Sequence, residues 1–492
     1  MTPILTTRSK FQIQTVASYR LERGQSRMTR HLEAYLFVPK VLAVNAQTYP
    51  KYLFYRDLQT YAELLPTLRP LSHLVAPGNG LLPRLDDCLN RSVGGEDERA
   101  LRDVETHLRA FCRILKSSLD AHIQYIQRKG ESAVAKHALD QYLDIIRRVL
   151  DGFRDLGDAL VKQCPQPEVN SVFLLGDEYL SLMVEDSTCR LAERLQHAKP
   201  DWGEELCVRL HQLALSELKY RETQGYGSLP ASKGRNEQLV YRRGALRTYV
   251  ESVFFLSTRH KPESRLAREL LLSLAAGIAM VFATAVAFLA HVQYENWTTA
   301  FFVVLVISYM FKDRIKALAQ DYLKTNSQRF FFDFRTTIHA QTTRRPLGMQ
   351  RESMGFVQAD RIDPVVMTHR NRHRLDALDN EYCGEQIILY KRRTTLRPER
   401  IATAFEECGI DGVNEIVHFD FSRFARKMEN SRSTVFIPAE NGYRKERGRY
   451  VYHLHLIIKY PSDAGPVYRH FRIEMTRGGI RRIDAIPAPD AS

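Results

Sequence analysis

Histidine is the residue type in this chain whose spacing could do chemistry. His453 and His455 stand two apart in the run Val451–Ile458, where a strand would point both to the same side. Two imidazoles placed this way are the start of a divalent-metal site, and His418, Asp420 and His470 fall in nearby stretches of strand character. The run also fits an ordinary solvated sheet face, because Val451, His453, His455 and Ile457 alternate with Tyr452, Leu454, Leu456 and Ile458. His418, His453, His455 and His470 are thus the metal candidates, but the alternation favours the plain face, and no metal or cofactor is expected.

No other stretch offers a reaction. The sequence contains no Gly-x-Ser-x-Gly elbow, no His-Glu-x-x-His, no Walker-type loop, no Rossmann glycine triplet and no Cys-x-x-Cys pair. Its seven cysteines are an odd number without paired spacing, which fits free thiols better than a disulfide frame or a zinc site. The glycine-rich loop Gly225–Gly234 lacks a Gly-Lys-Ser/Thr ending and no strand leads into it, so it reads as a connection. No catalytic residue is assigned.

The elements that must carry these residues are legible in outline. Residues 1–48 hold two stretches of strand character, Phe11–Leu21 and His31–Val44. Residues 49–262 are mostly helical by periodicity. Leu101, Val104, Leu108, Phe111, Leu115 and Leu119 make one apolar seam, and Leu139, Tyr142, Leu143, Ile146, Leu150 and Phe153 make the next. Such seams predict an antiparallel bundle. Residues 324–380 are Arg-rich and read as a basic linker; residues 381–492 alternate in strand fashion around one helix, Leu396–Cys408, and predict an α+β domain.

Between these parts lies the apolar region 263–323. Leu270 through Tyr294 contains no charged residue, long enough at 1.5 Å rise per residue for a hydrocarbon core of ~30 Å. A second apolar segment, 297–311, follows after a four-residue connection, and together with 270–292 it predicts a two-helix transmembrane hairpin with an amphipathic stalk beyond it. Tyr294 and Trp297 would sit at one membrane interface, Lys312 and Arg314 at the other. Ala275, Ala279, Ala283 and Ala287 recur every fourth residue and offer a smooth ridge for close packing against the second helix. Basic residues flank the hairpin on its outer ends and are missing from its turn, so the positive-inside rule places both termini in the cytoplasm.

The fold class expected from the sequence is therefore a membrane protein, mainly α. It combines an N-terminal cytoplasmic helical bundle, a two-helix transmembrane hairpin and a C-terminal α+β domain, set as a multi-pass protein of the inner membrane. A net charge of +14 in such a protein points to anionic lipid headgroups before nucleic acid, which is not an expected partner. The expected function is a scaffold or sensor for a protein partner or a second copy of the chain. The alternative is a membrane-bound enzyme acting on lipid or nucleotide at a site between the cytoplasmic domains.

Overall fold

The computed structural model describes the chain except residues 1–2, 23, 77, 79, 94–97, 164–166, 232–235, 294–298, 326–331, 341–344, 372–383, 406–408, 431, 440–441, 463–464 and 488–492. In chain order the elements begin with strands β1 (Ile4–Ser9), β2 (Gln12–Arg20) and β3 (Met28–Pro39), helix α1 (Lys51–Asp57) and strand β4 (Leu58–Pro66). Helices α2 (Leu81–Val93), α3 (Glu98–Lys129), α4 (Ala133–Gln163), α5 (Pro167–Ala198), α6 (Gly203–Thr223) and α7 (Glu237–Glu251) follow. Then come β5 (Ser257–Pro262), the long helices α8 (Ser264–Gln293) and α9 (Thr299–Thr325), β6 (Phe334–His339), β7 (Pro346–Val357) and α10 (Pro364–Arg370). The remainder is β8 (Glu385–Leu396), α11 (Pro398–Ala404), β9 (Ile410–Asp420), α12 (Ser422–Lys427), a ribbon of β10 (Arg432–Ala439) and β11 (Gly442–Arg449), and β12 (Tyr452–Ser462), β13 (Gly465–Thr476) and β14 (Gly479–Ile486).

These elements form two compact units. The first comprises Met1–Ala62, Leu256–Ala404 and Val413–Ser492. Its larger sheet is antiparallel, with eight strands in the order β14-β13-β12-β3-β8-β7-β6-β5, and the smaller runs β1-β2-β9-β4. β3, from the start of the chain, is thus inserted between two C-terminal strands: Leu36 lies opposite Ile388 on β8 and opposite Leu456 on β12. Apolar side chains from both sheets meet in one core that includes Ile13, Leu36, Phe54, Ile388, Phe419 and Leu456. The other face of the large sheet buries Tyr35, Phe37 and Ile457 with Val366 of α10 in a smaller core.

The second unit, Glu63–Phe255 with Phe405–Gly412, holds the helices α2–α7. Leu108, Leu115, Leu143, Ile146 and Phe153 are almost wholly buried, as an apolar stripe at helical spacing requires. α5 departs from that pattern. Asp177, Glu178 and Ser181 are buried on it, and Arg154 of α4 meets both Asp177 and Glu217 of α6 while stacking on Tyr220. A buried carboxylate is tolerated only with such partners.

This architecture corrects the mainly-α fold class. The chain is 53% helical and 31% strand, with large antiparallel sheets. The physical reason is the region taken for a linker: residues 334–370 supply β6, β7 and α10, and their strands continue the sheet that β3 and β8 begin.

The two-span, multi-pass inner-membrane expectation is also corrected. Among the described residues one helical stretch, Leu272–Gln293, is long and apolar enough to cross a bilayer. α9 is apolar only until Phe311, after which Lys312, Asp313 and Arg314 follow in succession, short of the ~20 residues that a span requires. The placement of both termini in the cytoplasm rested on two crossings and falls with them.

Candidate functional site

The histidines divide between the two sheets of the first unit. His418 lies on β9 of the smaller sheet, whereas His453 and His455 are on β12 and His470 on β13 of the larger one. Arg8 donates to His418 Nδ1, and Nε2 lies 3.2 Å from Gln14 Oε1, so both ring nitrogens are engaged. Burial, and then the Arg8 guanidinium, push the His418 pKa down to about 4.

His455 and His470 do meet. Nδ1 of the first is 2.9 Å from Nε2 of the second, and both rings are buried beneath α10. Arg370, the last residue of α10, is fully buried beside them and forms a two-point pair with Glu385. Burial first, then the Arg370 charge, lowers the His455 pKa to about 2 and that of His470 to about 3. Two neutral imidazoles next to a guanidinium are a poor seat for a cation, since the fixed charge repels it. Among the described residues, no group of three or more histidine, cysteine, aspartate or glutamate side chains could hold a metal.

A buried polar cluster in the first unit was not among the residues singled out from the sequence. On β8, Ile388, Tyr390 and Arg392 alternate toward the core between the sheets. Arg392 is buried there and donates to Glu415 Oε2 of β9, which also accepts from Tyr19 at 3.2 Å. Burial opposes the charge on Arg392 more than any single neighbour favours it, but Glu415 together with Tyr390, Tyr19 and Glu352 outweighs it, and the Arg392 pKa is raised. Tyr390 donates to Glu352 of β7, and Gln350 donates to the same Glu352 oxygen at 2.8 Å. Asp333 extends the polar system, accepting from Tyr55 at 3.0 Å and from the Met354 backbone at 2.9 Å. The available signal was an Arg and a Glu at inward positions of otherwise apolar alternations (Ile388, Tyr390, Arg392 and Glu415, Val417, Phe419), which pattern counting treats as noise.

The hairpin region is the remaining feature. α8 and α9 pack against each other, and the Ala ridge lies toward α9: Ala279 is buried and Ala275, Ala283 and Ala287 are half-buried. Ser308 of α9 is buried and donates to the Ala283 carbonyl oxygen at 3.2 Å. The bulky side chains point outward, with Leu270 71%, Ile278 58% and Phe288 68% exposed. Lys312 lies with its Nζ 3.7 Å from the centre of the Tyr309 ring, and Arg314 is exposed. Tyr294 and Trp297 fall outside the described residues. No family model, no curated protein and no solved structure matches the chain.

Proposed function

We propose that this chain is a lipid-associated scaffold or sensor for a protein partner, with no reaction of its own. The observation that carries the reading is the exposed apolar surface of α8, continued on α9 by Phe302, Val306 and Met310. A contiguous apolar surface of this extent marks a lipid or protein contact, since single scattered exposures are what an ordinary surface shows. β5 before the hairpin pairs with β6 after it, Ser257 opposite His339 and Pro262 opposite Phe334, so the chain enters and leaves the hairpin at one sheet edge. An element tethered at both ends to one edge is suited to dip into a lipid phase from one side. Arg259 and Lys261 on β5, with Lys312, Arg314 and Lys316 on α9, supply charge for anionic headgroups.

A protein partner is favoured by the β10–β11 ribbon. Val435, Phe436 and Tyr443 are exposed on it, and Lys445 lies over both aromatic rings. An isolated two-stranded ribbon is marginal in water, and its free edges are templates for another chain.

Flotation of the full chain with vesicles tests the lipid part. Binding is expected to vesicles containing anionic lipid, and to fall at least ten-fold when Leu274, Ile278, Val281 and Phe288 are replaced together by serine. Wild-type chain left in the unbound fraction would overturn the reading.

A further inference from the structure

β4 and β5 meet where the Leu256 N–H, just before β5, donates to the Ala62 carbonyl oxygen at 2.8 Å. Past that point the two strands are not paired among the described residues, and each ends its own sheet. An open groove of ≈ 470 Å³ lies there. It is lined by Leu58 and Tyr61 of β4, by Thr258 and His260 of β5, and by the rings of Tyr55 and Phe334, which meet edge to face with centres 4.7 Å apart.

The register shows which backbone groups β5 offers to this groove. The Glu263 N–H donates to the Asp333 carbonyl oxygen at 3.2 Å, and the pairing with β6 runs without a shift from Ser257 opposite His339 to Pro262 opposite Phe334. Alternate residues of an antiparallel pair bond the neighbour, so Ser257, Arg259 and Lys261 bond β6. Thr258 and His260 therefore turn their N–H and C=O to the open side. Pro262 has no N–H and ends the row. β4 offers less, since the Leu58 N–H already donates to the Phe54 carbonyl oxygen.

Side chains follow the same alternation. Ile338 and Thr336, opposite Thr258 and His260, are fully buried, so this face of β5 turns inward, while Arg259 and Lys261 stand exposed on the other. Basic side chains on a free edge are a common guard against stray pairing. Here the guard is selective. Pairing with β5 of a second copy would set Arg259 and Lys261 against like charge, whereas glutamates in an added strand would lie beside them as favourable cross-strand pairs. Residues between those glutamates would face the groove, where Leu58 and the aromatic rings favour apolar side chains.

We propose that the free edge of β5 receives an extended acidic segment of a partner protein as an added strand. Its backbone bonds Thr258 and His260, its carboxylates lie beside Arg259 and Lys261, and its apolar side chains enter the groove toward β4. The inference deepens the protein-partner half of the function proposed above and rests on it; the lipid half stands apart.

Fluorescence polarisation of the full chain without vesicles, with a fluorescein-labelled hexapeptide alternating leucine and glutamate, tests this. Saturable binding is expected. The same peptide N-methylated along its backbone keeps the side chains but loses the donors, and should bind about ten-fold more weakly or worse, the worth of roughly one or two hydrogen bonds. A hexapeptide alternating leucine and lysine should be weaker by a similar factor at low salt. Thr258→Pro removes one N–H from the open edge, where proline is tolerated, and should weaken binding about ten-fold while leaving the thermal midpoint unchanged. Arg259→Glu with Lys261→Glu, at two exposed positions, should weaken it as much and serves should Thr258→Pro lose its cooperative melting transition. Absence of saturable binding, equal affinity for the N-methylated or the lysine peptide, or unchanged affinity in a folded variant would overturn the proposal. A dimer of the chain that the peptide disperses would assign the edge to a second copy and overturn it as well. Peptide binding and vesicle flotation are separate readouts, so loss of one with the other intact tells the two failures apart.

Discussion

His455 and His470 touch diagonally rather than as paired residues. In the sheet register His455 lies opposite Arg472 and His470 opposite Ile457, yet the two rings approach to 2.9 Å. The diagonal leaves each imidazole buried and neutral.

That pairing sets a pH dependence of stability. A free histidine titrates near 6.5, whereas burial and Arg370 hold these two near about 2 and 3 in the folded chain. Between those limits the unfolded chain binds more protons than the folded one, so stability is full above about pH 6.5 and declines as pH falls toward 3. The thermal midpoint should therefore drop between pH 7 and pH 5, and less steeply in the double variant His455→Gln, His470→Gln. Equal slopes for the two proteins would contradict this assignment.

The Arg392–Glu415 pair should be unforgiving of half-removal. Arg392→Met leaves Glu415 buried and uncompensated, and loss of one partner of a buried pair costs about 3–5 kcal/mol. Replacing both, as Arg392→Met with Glu415→Leu, should recover much of that loss, because the desolvation of both charges is then avoided. Urea unfolding of the three proteins checks the ordering; a double variant no better than the single one refutes it.

Gly176 is a packing requirement in the helical unit. A Cβ at this position on α5 would lie 2.3 Å from the Leu108 Cδ2 atom, and Leu108 is fully buried on α3. Gly176→Ala should destabilise the unit by about 1–3 kcal/mol, the usual penalty of overpacking, although alanine is the better helix former. A denaturation midpoint equal to or above wild type would show that Leu108 moves aside freely.

The β10–β11 ribbon should matter for association and not for folding. Its side chains are exposed along almost their whole length. Replacing residues 432–449 by a short Gly-Ser linker should leave stability within about 0.5 kcal/mol of wild type, as for surface changes away from packed features. Cross-linking to the partner in cells should be lost in the same variant. A large fall in melting temperature would make the ribbon structural instead.

The sequence by itself determined the local periods. The helical seams around Leu108 and Ile146 and the uncharged run after Leu270 each follow from repeats within a single element, where neighbours in sequence are neighbours in space. Tertiary structure alone decided which strands lie side by side. Nothing within Met28–Pro39 names β8 and β12 as its partners, since period-two alternation fits any sheet of matching polarity. The same holds for the Arg392–Glu415 pair, which arises only where the two sheets face each other across their shared core. The Arg-rich region around β6 and β7 misled for a related reason: both strands lie inside the sheet, between β5 and β8, and only those neighbours show which of its side chains turn inward.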